Sequence, residues 1–184
     1  MNPTNPTITQ EDIVAAIRSA TEDVFSIMLG LELSPGEMLT EKSIAAAPSS
    51  GLVSLIGLAG RWSGTGSLAC TGTFACAMAS GLLACTFDSV NEEVLDAIGE
   101  ITNMIIGNVK TALEEKIGDM GLSTPTVIFG RNFQTRSARI HEWTVVPFLS
   151  GEERMYVQLC LAPSREEQPP TLRPGFQIPQ IVTV

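Results

Sequence analysis

The chain has 184 residues, 44% of them apolar, which predicts one compact domain able to bury a core without metal or disulfide staples. A net charge of −9, with Lys42, Lys110 and Lys116 as its only lysines, supplies no basic patch for a phosphate backbone and excludes nucleic-acid binding. No apolar run reaches the ~18 residues of a membrane span, and no amino-terminal stretch has the layout of a signal peptide, so a cytoplasmic protein without membrane contact is expected.

Residues 1–9, with Pro3 and Pro6, read as a flexible leader. Thr9 followed by Asp12 has the spacing of a capping box and predicts a helix over about 10–29, with Ile13, Val14, Ile17, Val24, Phe25, Ile27 and Met28 as its apolar set and Gly30 as its stop. Residues 51–59 and 65–71 read as strands joined by a turn containing Gly60 and Gly64, which makes a hairpin. The glycines at 57, 60, 64 and 66 lack both the Gly-Lys-Ser/Thr of a phosphate loop and the G-x-G-x-x-G spacing, so they are read as turn and close-packing positions. Thr73–Ala84, rich in small residues, predicts a short helix packed closely on its neighbours.

A long helix follows to about residue 117, its start assigned to Asp88 or Ser89 because Ser89-x-x-Glu92 has capping-box spacing, and its end to Gly118 and Gly121. Residues 125–129, 138–147 and 153–161 have strand composition, the last two forming an antiparallel hairpin around Ser150-Gly151. Beyond residue 162 the prolines at 163, 169, 170, 174 and 179 mark a Pro-rich tail over 163–184, whose Ile178–Val184 end is a candidate addition to a sheet edge. Cys70, Cys76, Cys85 and Cys160 show no C-x-x-C spacing and are read as free thiols, and the one histidine, His141, has no partner at ligand spacing, so neither a metal site nor a Ser-His-Asp triad is expected.

The long helix carries the chemistry. Val94, Ile98, Ile101, Ile105, Val109 and Ala112 form its apolar stripe, and Asp96, Glu100, Asn103 and Gly107 lie opposite. Glu100 and Asn103, three apart, project side by side. Gly107 on the same face costs ~1 kcal/mol relative to alanine inside a helix, and asparagine is also a poor helix former, so helix stability does not account for this face. Gly107 is expected to leave the surface bare for a second protein. A carboxamide is no general base near neutral pH, but its donors and acceptor can hold a water in one orientation. Such equipment suits an electrophile that is already reactive, such as an acyl phosphate on a partner, with Glu100 making a charge-assisted contact to a partner lysine.

The run Glu100-Ile101-Thr102-Asn103-Met104-Ile105-Ile106-Gly107-Asn108, continuing through Lys110-Thr111-Ala112-Leu113, closely resembles the active-site helix of the CheC/CheX/FliY family of chemotaxis phosphatases, the CheX branch most of all. The glycine-rich hairpin, the Thr124–Gly130 segment and the closing strands near Val146-Pro147-Phe148 and Tyr156–Leu161 follow the same layout, so the resemblance spans roughly 10–162, taken as one CheX-like domain. It implies an α+β fold with long helices packed on an antiparallel sheet, and removal of the phosphoryl group from the aspartate of a CheY-like receiver. By position Glu100 corresponds to the family's acidic contact residue and Asn103 to its water-orienting asparagine. No cofactor is expected on this chain, since magnesium comes with the receiver. CheC-like members carry two such helices. Here the first reads Glu11-x-x-Val14 and Glu22-x-x-Phe25 without the asparagine, which is the one-site, commonly homodimeric, CheX-like arrangement. A free-standing protein, without a surface-presentation domain after the core, is expected. The alternatives are a non-catalytic receiver-binding or scaffolding module of the same fold, and a dimerisation domain in which the helix face meets its own copy.

Overall fold

A computed structural model describes residues 8–41, 50–131, 133 and 142–164. Most of the leader, Lys42, His141, the first residues of the predicted 138–147 strand and the tail from 165, including Ile178–Val184, lie outside the described residues. The elements run α1 (Gln10–Asp23), β1 (Ser34–Pro35), β2 (Leu39–Glu41), β3 (Ser50–Gly60), β4 (Trp62–Cys70), α2 (Gly72–Leu83), α3 (Glu92–Ile117), β5 (Met120–Leu122), β6 (Thr126–Arg131), β7 (Trp143–Ser150) and β8 (Glu153–Pro163). All pairings are antiparallel, in the order β1-β7-β8-β4-β3-β5, with β2 also on β7 and β6 also on β3. The three helices share one core with the sheet, which is the α+β layout the sequence predicts.

α1 begins as expected. Asp12 N–H donates to Thr9 Oγ1 at 3.2 Å and Thr9 N–H to Asp12 Oδ2 at 3.0 Å, the reciprocal capping box. Its end differs, because Val24–Leu29 continue as a π-helical segment before Gly30 closes it with φ +63°, a left-handed conformation that suits glycine. The wider π turn shifts the helical phase. Phe25 and Leu29 turn inward, whereas Ile27 and Met28, predicted to be core, are 75% and 49% exposed.

The β3–β4 hairpin forms as predicted, but its turn is tighter. β3 ends at Gly60 and β4 starts at Trp62, while Gly64 lies within the ladder opposite Leu58. The close-packing reading of these glycines holds, since a Cβ on Gly64 would collide with the Cys160 carbonyl and one on Gly60 with that of Asp119. Gly66 matters most to the site. Ile106 of α3 fills its space, all three outer side-chain carbons lying 2.8 Å from where a Cβ would stand, and this draws α3 close against the sheet. α2 is capped by Thr71, whose Oγ1 accepts from Phe74 N–H at 3.1 Å and donates to Glu153 Oε2 at 2.5 Å.

α3 starts later than predicted. Asn91, not Asp88 or Ser89, accepts from Val94 N–H at 3.0 Å, consistent with asparagine's strength as an N-cap. Gly118 ends it as expected, donating to the Glu114 carbonyl at 2.9 Å. The apolar stripe is as predicted through Val109, after which the buried residue is Leu113, not Ala112, because the helix continues its i+4 row inward. Cys70, Cys76 and Cys160 are buried free thiols and Cys85 is exposed. Burial, then the nearby Glu153 carboxylate and Cys76, pushes the Cys70 thiol up to about 12. β7 and β8 form the predicted hairpin around Gly151, and β1, β2 and β5 were not anticipated.

Candidate functional site

α3 is anchored before its polar face is considered. Val94, Ile98, Ile101, Ile105 and Val109 are all essentially inaccessible, and Thr102, also buried, satisfies its hydroxyl by donating to the Ile98 carbonyl at 2.7 Å. One side of a 26-residue helix is therefore fixed against the sheet and the other two helices. The opposite side is presented by a rigid element, which holds side chains more reproducibly than a loop does.

Glu100 and Asn103 stand together on that side, with Glu100 exposed and Asn103 half-buried. Asp96 lies a turn earlier on the same face. Among the described residues the ion pairs are Lys110–Glu114 at 2.7 Å and Lys116–Asp12 at 2.6 Å. Neither involves Glu100, and no side-chain hydrogen bond to a described residue occupies the carboxamide of Asn103. Both polar heads are open to an incoming group.

They do not stand on a bare helix. A groove of about 500 Å³ runs between α3 and the segment joining β5 to β6, with Glu100, Asn103 and Gly99 on one wall and Ser123, Thr124 and Pro125 on the other. This corrects the expectation for Gly107, which is half-buried beneath Leu122. A Cβ there would meet Leu122 Cδ1 at 3.7 Å, and one on Gly99 would meet Val127 Cγ2 at 3.6 Å and Pro125 Cβ at 3.9 Å. The two glycines border the seat of the second wall instead of leaving a gap for a partner.

The second wall is the part of the site that sequence reasoning missed. Its one legible signal is Pro125, which cannot donate to a ladder and so interrupts pairing. Chemically, the groove offers one carboxamide, two carboxylates and two hydroxyl side chains, Ser123 and Thr124. It contains no cation and no nucleophile paired with a base. Among the described residues no group of three or more His, Cys, Asp or Glu is placed to hold a metal ion. The arrangement can orient water and grip a cation on a partner, and it needs the electrophile to be brought in.

Residues 52–149 match the family described as Chemotaxis phosphatase CheX. The CheY-P phosphatase CheX of Thermotoga maritima is 28% identical over 126 residues, covering 68% of this chain and 80% of that protein. The crystal structure of the chemotaxis protein CheX from Vibrio vulnificus superposes with a TM-score of 0.73 at 28% identity, over 82% of this chain and 99% of that one. A CheX–CheY–BeF3–Mg2+ complex from Borrelia burgdorferi contains the same fold, with a TM-score of 0.68 at 23% identity over 81% of this chain and 97% of its own.

Proposed function

The chain belongs to the CheX family of chemotaxis phosphatases, and on that premise we propose that it hydrolyses the aspartyl phosphate of a CheY-like receiver, with Asn103 orienting the attacking water and Glu100 anchoring the receiver. The observation that carries this is the pair itself, an unpartnered carboxylate and carboxamide one turn apart, on a helix whose other side is fully buried and beside an open groove. The Thermotoga maritima relative, named a CheY-P phosphatase, supports the choice of substrate.

In this reaction water attacks phosphorus, the bond between phosphorus and the aspartyl oxygen breaks, and the products are a free carboxylate and inorganic phosphate. The carboxamide Oδ1 of Asn103 accepts a hydrogen bond from the water and so aims its lone pair along the line of attack. Its contribution is positional, since an amide does not take up the proton at neutral pH. Glu100 meets a lysine of the receiver and sets the register in which Asn103 enters the phosphorylated site. Magnesium belongs to the receiver, where it supplies neutralisation of phosphoryl charge. The homodimer implied by the family resemblance is proposed with it, and sedimentation of the full chain tests it.

Phosphate release from phosphorylated receivers of the same organism tests the function, comparing the wild type with Asn103→Ala and Glu100→Ala at matched concentrations. Acceleration by the wild type and its loss in Asn103→Ala are expected. Measurable binding without acceleration by any protein would refute hydrolysis and favour a receiver-binding module.

A further inference from the structure

The second wall of the groove has an irregular origin in the sheet. β3 pairs with β6 in a register that includes Leu55 opposite Thr126, and with β5 in a register that includes Leu58 opposite Leu122. Between these two pairs β3 contributes Ile56 and Gly57, whereas the other chain contributes Ser123, Thr124 and Pro125. β5 and β6 are thus one strand interrupted by a single extra residue, the geometry of a β-bulge. A bulge kinks its strand and turns side chains away from the regular pleat, and here the bulged residues lean over α3 beside Glu100 and Asn103.

Ser123 holds the bulge in place. Its backbone N–H donates to the Gly57 carbonyl at 2.9 Å, its Oγ accepts from Gly57 N–H at 2.9 Å, and the same hydroxyl donates to the Thr124 carbonyl at 2.9 Å. The hydroxyl therefore stands in for the carbonyl that a regular strand would present to Gly57, and it also fixes the next peptide of the wall. Gly57 allows the approach, because a Cβ there would come within 3.3 Å of the Ser123 Oγ. None of the hydrogen bonds of Ser123 to described residues reaches Glu100 or Asn103, so its influence on them passes through the width of the groove.

On the phosphatase reading of Asn103 and Glu100, we propose that Ser123 is a positioning residue that locks the Ser123–Pro125 bulge as the rigid second wall of the receiver-docking groove, and so sets the affinity for the receiver and not the hydrolytic step. The bulged segment offers a receiver a preformed surface. Ordering that surface only on binding would lower affinity by the cost of fixing its side chains and backbone.

The test uses the full chain and a CheY-like receiver of the same organism charged with beryllofluoride, with affinity measured for the wild type, Ser123→Ala and Ser123→Thr, alongside steady-state phosphate release and urea midpoints. Ser123→Ala is expected to weaken binding and raise KM by roughly fivefold, about the effect of one net hydrogen bond, with kcat within about twofold of wild type. Ser123→Thr, which keeps the hydroxyl, should restore affinity. Unchanged affinity in Ser123→Ala overturns the inference, as does a loss that tracks the urea midpoint and lowers kcat and affinity together. If the wild type binds the beryllofluoride-charged receiver but does not accelerate phosphate release from the phosphorylated receiver, the phosphatase reading fails, and weaker binding by Ser123→Ala still supports the wall.

Discussion

α1 and α3 each border a groove, and the larger one lacks the pairing of a carboxylate with an asparagine three residues on. The groove beside α1, lined by Glu11, Val14, Arg18 and Met38 among others, has a volume of about 810 Å³, against about 500 Å³ beside α3. Where α3 places Glu100 and Asn103, α1 places Glu11 and Val14, and Arg18 donates to the Gly36 carbonyl at 3.1 Å. Their acids also differ. Asp12 is engaged by Thr9 and Lys116, whereas Glu100 has no ion-pair partner among the described residues. A cavity marks where something fits, but the carboxamide beside the α3 groove marks which of the two can orient a water.

The largest effect should come from exchanging these roles. Asn103→Ala is expected to reduce the acceleration of phosphate release by at least about a hundredfold, a positioning effect of the size expected for a misplaced reactant. Val14→Ala on α1 should leave it within about twofold. A comparable loss in both variants would erase the distinction between the helices.

Packing under the site comes next. Ile106 has 0% exposure and fills the space above Gly66, so Ile106→Ala should lower stability by about 2–5 kcal/mol in urea denaturation. Ile27→Ala, in the outward-facing π segment of the first helix, should stay within about 0.5 kcal/mol. Gly107→Ala sharpens the account of the second wall. Its Cβ would make only ordinary contact with Leu122, so the substitution should stabilise the helix by up to about 1 kcal/mol, and a marked destabilisation would show that the wall cannot yield there.

The smallest effect concerns the ion pair that ties the two helices together. The Lys116 ammonium, with the Thr9 backbone and hydroxyl, holds the Asp12 carboxyl down from 3.8 to about 2. A depressed carboxyl contributes stability above its unfolded value and loses that contribution as pH falls through the folded one. The difference in urea midpoint between wild type and Lys116→Ala should therefore be present at neutral pH and shrink as pH falls from about 4 towards about 2. The exposed setting of the pair keeps it small. A difference that grows on acidification would contradict the assigned direction.

Much of the site was legible because it is helical. The Glu100/Asn103 pair and the buried stripe of α3 follow from a fixed angle per residue, and the Thr9–Asp12 capping box from a fixed spacing of three. The phase of Ile27 and Met28 was not legible, since one π turn depends on how the helix end packs and leaves no residue-level mark. Gly107 was misjudged for a similar reason. A glycine on a polar face reads as open surface until the strand that crosses it is known.

The sequence by itself determined the stripe that α3 buries from Val94 through Val109, the Glu100 and Asn103 pair it displays, and the family this display resembles, because helical periodicity is local and repeats every few residues. Only the tertiary structure decided that a second wall faces Asn103. That wall exists because β5 and β6 pair with β3 in registers offset by one residue, and because Ser123 meets Gly57 across 66 positions of chain. Register between distant strands is settled by the packing of the whole sheet, and no short window of sequence contains it.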